Sequence, residues 1–354
     1  MSISVGVVGL GTIAACVHLP GIQLSRDLTL AAVCDVDEKK LKAVGDTYEI
    51  PEKYRFTDYR HLIRCKEVAA VDICTPNDCH YQMAMEAVSA QKPYAVEKPV
   101  TMNHQEAKAL LDATEKAGIK SMVCFSYRFK AAARYARELV TSGALGEIHH
   151  VNMQYLQSWG RKEADVPLVW RYIKSRSGSG ALGDLGCHAL DLVRFVLGRE
   201  VEKVVADAGT FVKQRKLEGG TGMGVADVDD YCHYLARLQG NVAASFQVTR
   251  FAYGRGNYQR LEVYGEKGAL VYLLDAEPGV DELEICIGQP MGSLNVFTKV
   301  PVPSYNDADQ MQSFANLLLD KGDGLAATIR DGYMNQLVVD AVIESFEGQK
   351  WVTL

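Results

Sequence analysis

The sequence has no run of roughly 18 consecutive apolar residues, the length a membrane-crossing helix needs, so no membrane span is expected. It has no basic excess either. Against 38 Lys and Arg stand 44 Asp and Glu, a formal net charge of −6. That argues against nucleic acid as a partner, because such binders gather Lys and Arg on one face. No block of like charges and no internal repeat breaks the composition. There is no C-x-x-C pair: nine cysteines, an odd number, are scattered along the chain. Cys34, Cys74 and Cys124 each close an apolar run and read as buried, reduced thiols, which suits the cytosol. Met1 and Ser2 lead straight into the apolar residues 3–8, with no basic n-region and no long apolar h-region. The expectation is a cytoplasmic protein.

What is present fits a two-domain globular chain of 354 residues, since a single core seldom grows to that size. The first third alternates short apolar runs (3–8, 28–34, 69–74, 94–96, 120–125) with segments of helical spacing (12–24, 37–46, 78–91, 103–117). Repeated βα units with apolar strands imply a parallel sheet covered on both faces. After about Cys124 the rhythm changes. Helices are expected over 130–142 and 181–197, and strands over 147–156, 201–212, 228–238, 241–249, 259–264 and 269–273. Two of these meet at the turn Gln239-Gly240-Asn241. Two closing helices are expected over 307–320 and 331–347. The fold class is therefore an α/β domain with a parallel sheet over 1–124, followed by an α+β domain over 125–354 with a mainly antiparallel sheet.

Gly9-Leu10-Gly11-Thr12-Ile13-Ala14 fits G-x-G-x-x-A, directly after a strand and opening a helix. In that context the first glycine permits the tight turn, the second lets the backbone approach a pyrophosphate, and the small Ala14 lets helix and strand pack closely. The helix N-terminus offers free N–H groups to the phosphates. Asp35 ends the second strand, where an acid can bond a ribose 2′-OH and would repel a 2′-phosphate. NAD is therefore favoured over NADP. A plainer reading makes Asp35 a helix cap. Thr75, Pro76, Asn77 and His80 follow another strand end, within reach of the nicotinamide half or its ribose; Asn77 or Asp78 could equally cap the next helix.

Two further segments carry chemistry. Glu97-Lys98-Pro99 leaves the carboxyl end of a short buried strand. Asp184, His188 and Asp191 fall at i, i+4 and i+7 on a helix that is otherwise apolar. A polar stripe on such a helix must face a partner or a cavity, because unpaired buried polar groups are costly. Gly183 and Gly186 suggest a close approach to the helix backbone. A structural Asp–His pair in a core is the bland alternative. His149-His150 could hint at a metal, but strand neighbours point to opposite faces, and no metal is expected.

Taken in order, the G-x-G-x-x-A turn, the Cys74-Thr75-Pro76-Asn77-x-x-His80 strand end, the Glu97-Lys98-Pro99 tripeptide and the D-x-x-x-H-x-x-D helix resemble the glucose–fructose oxidoreductase / inositol dehydrogenase / MocA family over essentially the whole chain. The resemblance implies a Rossmann domain joined to a domain with a large, open, mainly antiparallel sheet, and assembly as a homodimer or homotetramer. It implies Lys98, Asp184 and His188 as the catalytic trio. His188 would be general base, Asp184 its partner, and Lys98 the donor to the reacting oxygen. Glu97 would lie nearer a cofactor ribose. Arg128, Tyr155, Trp170 and Arg171, with Lys98, Asp184 and His188, would surround a small polyhydroxylated substrate. The implied activity is NAD-dependent hydride transfer at a secondary hydroxyl of a sugar, cyclitol or glycoside. Transient use of tightly held NAD in glycosidic cleavage and a non-catalytic NAD sensor are the competing readings.

Overall fold

A computed structural model describes residues 2–275, 280–288 and 296–354. The chain divides into two compact units, residues 1–126 with 308–333, and residues 127–307 with 334–354.

The first unit is built on β1 (Ile3–Val8), β2 (Leu28–Cys34), β3 (Arg55–Phe56), β4 (Ala70–Ile73), β5 (Tyr94–Val96) and β6 (Ser121–Val123). They form one parallel sheet in the order β3-β2-β1-β4-β5-β6. Val5, Val7, Val33, Val71, Ile73, Ala95 and Val96 are all fully buried, as strands covered by helices on both faces must be. Strand order reverses between β1 and β4, and in such sheets ligands bind at the carboxyl ends beside that point.

One boundary differs from the sequence reading, which assigned everything after residue 124 to the second domain. Residues 308–333 belong with the first unit. Helix Gln310–Leu318 packs so closely that a Cβ on Gly21 would stand 2.8 Å from Met311 Cγ. Val123 N–H also donates to Ala327 O at 2.8 Å.

The second unit carries β7 (Ile148–Leu156), β8 (Val201–Gly209), β9 (Gln214–Lys216), β10 (Met223–Val225), β11 (Tyr231–Leu238), β12 (Val242–Thr249), β13 (Tyr258–Gly265), β14 (Gly268–Leu274), β15 (Asp281–Ile287), β16 (Thr298–Val300) and β17 (Val352–Thr353). Nine of these form a sheet ordered β16-β15-β14-β13-β7-β12-β11-β8-β17, antiparallel except where β7 lies parallel to β12. The expected turn joins β11 to β12, with Gly240 and Asn241 both at positive φ. Along β11, Cys232, Tyr234, Ala236 and Leu238 are buried while the alternate residues are exposed. Only one face of that strand is therefore packed. The helix Cys187–Leu197 is buried at every residue.

Both motif helices open with a π turn, Ala14–His18 in one unit and Leu182–Gly186 in the other. Such wide turns recur at functional sites, where they re-aim a side chain.

Candidate active site

In the first unit the motif residues gather at the carboxyl ends of the parallel strands. Gly9 has φ +88°, and a Cβ there would sit 2.8 Å from the Cys74 carbonyl. Only glycine serves both the turn and the close approach to the next strand end. Over Gly11 the opposite holds. A Cβ would meet nothing within 4 Å, so the backbone lies open to a ligand. Thr12 and Ile13 are exposed at the helix start. This open cradle, with free N–H groups and an acid beyond it, fits a dinucleotide.

Asp35 helps build the cradle. Its Oδ2 accepts from Leu10 N–H at 2.7 Å and its Oδ1 from Asp37 N–H at 2.8 Å. The cap of the following helix is Asp37, which accepts from Lys39 and Lys40 N–H, so the plainer reading of Asp35 gives way.

The strand-end segment after β4 divides. Thr75 and Pro76 are half-buried. Pro76 occupies the cap position without a side-chain bond, so neither Asn77 nor Asp78 caps this helix. Asn77 is its first residue and is 6% exposed. His80 is fully buried, with Nδ1 2.8 Å from Pro99 O and Nε2 2.9 Å from Thr75 O. It was expected to reach the cofactor. Instead its ring is wedged between two strand-end loops, its one N–H donating to one of the two carbonyls, and a fully buried ring offers no surface to a ligand. Burial pushes its pKa below 6.5, with the two carbonyls opposing.

Glu97 also turns inward. It is 7% exposed, and its Oε1 lies 3.0 Å from Nε2 of the fully buried His18. The other ring nitrogen is 2.8 Å from Asp72 Oδ2. This places Glu97 in the interior rather than on a ribose. Lys98, next in the chain, is half-buried. His18 with Asp72 and Cys74, and again with Glu97 and Cys124, groups metal-ligating atom types within 4.8 Å. The sequence reading missed this grouping because its members are spread over about a hundred residues. Each ring nitrogen faces a carboxylate oxygen at hydrogen-bonding distance, so the grouping reads as a hydrogen-bonded ion cluster.

In the second unit the expected stripe stands on its helix. Asp184 lies in the π turn with its side chain 18% exposed. His188 follows one turn later, 8% exposed. The close backbone approach is real, though it centres on Gly180, where a Cβ would collide with Asp229 O at 1.8 Å. Asp229 then accepts from Gly180 and Leu182 N–H at 2.6 and 2.8 Å, satisfying donors at the helix start.

Cationic neighbours of Asp184 include Arg250 and Arg171. Arg250 Nη2 donates to its Oδ2 at 3.2 Å, and Arg171 Nε lies 4.0 Å from its Oδ1. Arg171, with its side chain 40% exposed, also lies over the Trp170 ring at 4.4 Å. Beside His188 the Tyr127 ring stands edge-on at 4.9 Å, and Tyr155 lies at 6.3 Å. Tyr127 and Tyr155 share a hydroxyl contact of 2.6 Å, and the Tyr155 hydroxyl donates to Asn257 Oδ1 at 2.7 Å. Gln157 Nε2 also donates to Asn257, at 2.9 Å. Burial, reinforced by Tyr127, holds the Tyr155 phenol well above its ordinary pKa, so it serves as a neutral hydrogen-bonding group.

One residue, Arg128, leaves the expected substrate set. Arg128 is 5% exposed and grips Asp191 bidentately, Nε to Oδ2 at 2.8 Å and Nη2 to Oδ1 at 2.6 Å. Both ends are buried, so the pair braces the helix instead of meeting substrate. Conversely, Arg250 beside Asp184, and Tyr127, Asn257 and Gln157 around the Tyr155 hydroxyl, were not singled out from the sequence. Tyr127, next to the expected Arg128 in Ser126-Tyr127-Arg128-Phe129, was the one of these within reach of a sequence signal.

Residues 3–125 match the oxidoreductase family with an NAD-binding Rossmann fold, and residues 133–271 match the GFO/IDH/MocA C-terminal domain. A levoglucosan dehydrogenase from Pseudarthrobacter phenanthrenivorans is 31% identical over 326 residues, covering 84% of this chain and 82% of the relative. An inositol 2-dehydrogenase from Rhizobium meliloti is 27% identical over 360 residues, covering 100% of both. A solved levoglucosan dehydrogenase, in complex with NADH and L-sorbose, superposes with a TM-score of 0.89 at 27% identity, covering 100% of this chain and 99% of that one. Motifs, fold and relatives agree: the chain belongs to the GFO/IDH/MocA family of oxidoreductases with an NAD-binding Rossmann fold.

Proposed function

We propose that this protein is an NAD-dependent dehydrogenase that moves a hydride between nicotinamide and a secondary hydroxyl of a sugar, cyclitol or glycoside. The observation that carries the reading is the Asp184–His188 stripe. Asp184, in the π turn that opens the buried helix, keeps its side chain partly exposed, and the buried His188 one turn on lies beside hydroxyl and amide groups of Tyr127, Tyr155 and Asn257. A polyhydroxylated substrate needs such a set of paired donors and acceptors. The relatives named for levoglucosan and inositol support the same substrate class.

Bound NAD supplies the carbon that accepts the hydride, and residues of this chain manage the proton. His188 takes the hydroxyl proton as general base. Asp184, one turn earlier, presents a carboxylate that favours the resulting imidazolium. Lys98 donates to the reacting oxygen and steadies charge as it develops there. Gly9, Gly11 and the first turn of the helix hold the pyrophosphate, and Asp35 accepts from the ribose. Assembly as a homodimer or homotetramer is part of the same proposal, to be checked by light scattering.

The test is purified protein mixed with NAD or NADP and a panel of cyclitols, monosaccharides and glycosides, followed by reduced-cofactor absorbance. Reduction of NAD with one substrate class is expected. Silence across the panel, with NADH still raising the melting temperature, would overturn the reading in favour of a cofactor cycled within each turnover or a sensor.

A further inference from the structure

His18 is fully buried, bears two strong hydrogen-bonding atoms, and has no part in the chemistry above. It ends the π turn that follows the glycine cradle. That wide turn aims its ring inward, beneath the carboxyl ends of β4 and β5. Nδ1 meets Asp72 Oδ2 at 2.8 Å and Nε2 meets Glu97 Oε1 at 3.0 Å. Asp72 is itself fully buried.

A neutral imidazole has one N–H and can donate to only one of these carboxylates; both bonds form only when the ring is an imidazolium. Two interior carboxylates also need a cation, because an unpaired buried charge is costly. Geometry and charge thus agree on a cationic ring clamped between two anions. The second oxygen of Glu97, Oε2, accepts from the Lys98 backbone N–H at 3.2 Å. A continuous path therefore runs from Asp72 through His18 and Glu97 to the Lys98 main chain, and every side chain that carries it is buried.

We propose that His18 is a positioning residue that fixes Glu97 and, through it, the backbone of Lys98, so that the Lys98 ammonium is set for the reacting oxygen. This rests on the reading of Lys98 as the donor to that oxygen. Glu97 then acts from within, as the link between the clamp and the lysine. The groups facing His18 are Asp72 on β4, Cys74 just after it, Glu97 after β5 and Cys124 after β6. The thiols stay protonated, since burial pushes Cys74 up to about 12 and Cys124 well above its ordinary value. They add no further anion.

Two substitutions separate the halves of the clamp. In His18→Gln the amide donor lies near the place of Nε2 and still reaches Glu97. In His18→Asn it lies near Nδ1 and reaches Asp72 alone. Four readouts apply: melting temperature, NADH affinity by fluorescence, kcat and KM on the panel substrate, and the rate of Lys98 acylation by acetic anhydride. The last is read by peptide mass spectrometry on protein without cofactor and needs no turnover. At unchanged NADH affinity, His18→Asn is expected to lose roughly ten- to hundredfold in kcat with KM held, the scale of a misplaced catalytic group. It should also change the Lys98 acylation rate several-fold, while His18→Gln keeps most of both.

Equal kcat losses in the two variants with Lys98 acylation unaltered, or no loss in either, would overturn the proposal. If neither variant folds, Glu97→Gln decides. It keeps the shape and an acceptor for the Lys98 N–H but loses the ionic grip, and parental kcat and acylation there would overturn the proposal. A parent protein that turns over no polyol defeats the functional reading alone, because the acylation rates still decide the role of His18.

Discussion

The guanidinium of Arg250 donates through Nη2 to Asp184 Oδ2 at 3.2 Å and, from the same nitrogen, to Gly180 O at 2.9 Å. Arg250 is 1% exposed, and its plane lies over the Trp159 ring at 4.7 Å. A permanently charged, planar group thus pins both the carboxylate beside His188 and the backbone that starts its helix. Lysine carries the charge but not the fork. Arg250→Lys is expected to lower kcat roughly ten- to hundredfold with NADH affinity unchanged. Arg250→Met takes from Asp184 its nearer guanidinium, with Arg171 still 4.0 Å away, and should in addition cost about 1.5–3 kcal/mol of stability, the worth of a hydrogen bond to a charged group. Steady-state kinetics beside chemical denaturation measures both. Parental kcat in Arg250→Lys would remove Arg250 from the account.

Asp35 joins the glycine turn to β2 through Leu10 N–H, and the proposed function gives it the ribose hydroxyl as well. Asp35→Ala removes a charged acceptor from both. A hydrogen bond to a charged group is worth about 1.5–3 kcal/mol, so the NADH dissociation constant should rise on the order of ten- to a hundredfold. Fluorescence titration with NADH and NADPH is the measurement. Tighter binding of NADPH than NADH by the parent protein would contradict the role given to Asp35.

Local pattern was enough where local pattern causes the structure. The short apolar strands of the first unit, the glycine turn and the Asp184–His188 stripe all follow from spacing along one element. What stayed hidden depends on partners far apart in the chain. Arg250 meets Asp184 across 66 residues and His18 meets Glu97 across 79, and neither arginine nor histidine signals such a partner in its own neighbourhood. The return of residues 308–333 to the first unit rests on contacts such as Gly21 with Met311, which no periodicity encodes. The hairpin of β9 and β10 escaped notice because its strands are three residues long and carry little alternation. His80 looked like a ligand because its distance from the strand end was right. Its burial is a property of Pro99 and Thr75 closing on both sides.

Arg128 and Asp191 supply a contrast between substrate contact and bracing. Their bidentate pair is buried at both ends, with side chains 7% and 2% exposed. Asp191→Asn leaves the guanidinium without its counter-charge and is expected to cost about 3–5 kcal/mol of stability, with KM near the parental value in the folded fraction. Urea unfolding and KM measured on the same preparation separate the outcomes. A tenfold rise in KM, about 1.4 kcal/mol of binding, with stability unchanged would give Asp191 a place at the substrate.

The two buried histidines of the first unit should shape the pH dependence of stability in opposite directions. At His18 burial alone would lower the pKa, but the Asp72 carboxylate, aided by neighbouring groups, holds it well above the ordinary 6.5. A raised folded value means that the stabilisation is fully present below the unfolded value and is lost as pH rises through the folded one. At His80 burial lowers the pKa below 6.5. Its contribution is present above the unfolded value and fades as pH falls through the folded one. The melting temperature should therefore decline on both sides, with the alkaline limb owed to His18 and part of the acid limb to His80. Scanning calorimetry from about pH 5 to 10, the range around histidine titration, should show His18→Gln with a lower but flatter alkaline limb and His80→Gln with a flatter acid limb. An alkaline limb as steep in His18→Gln as in the parent would mean that another group governs it, and that the ring between Asp72 and Glu97 is not the cation their two charges require.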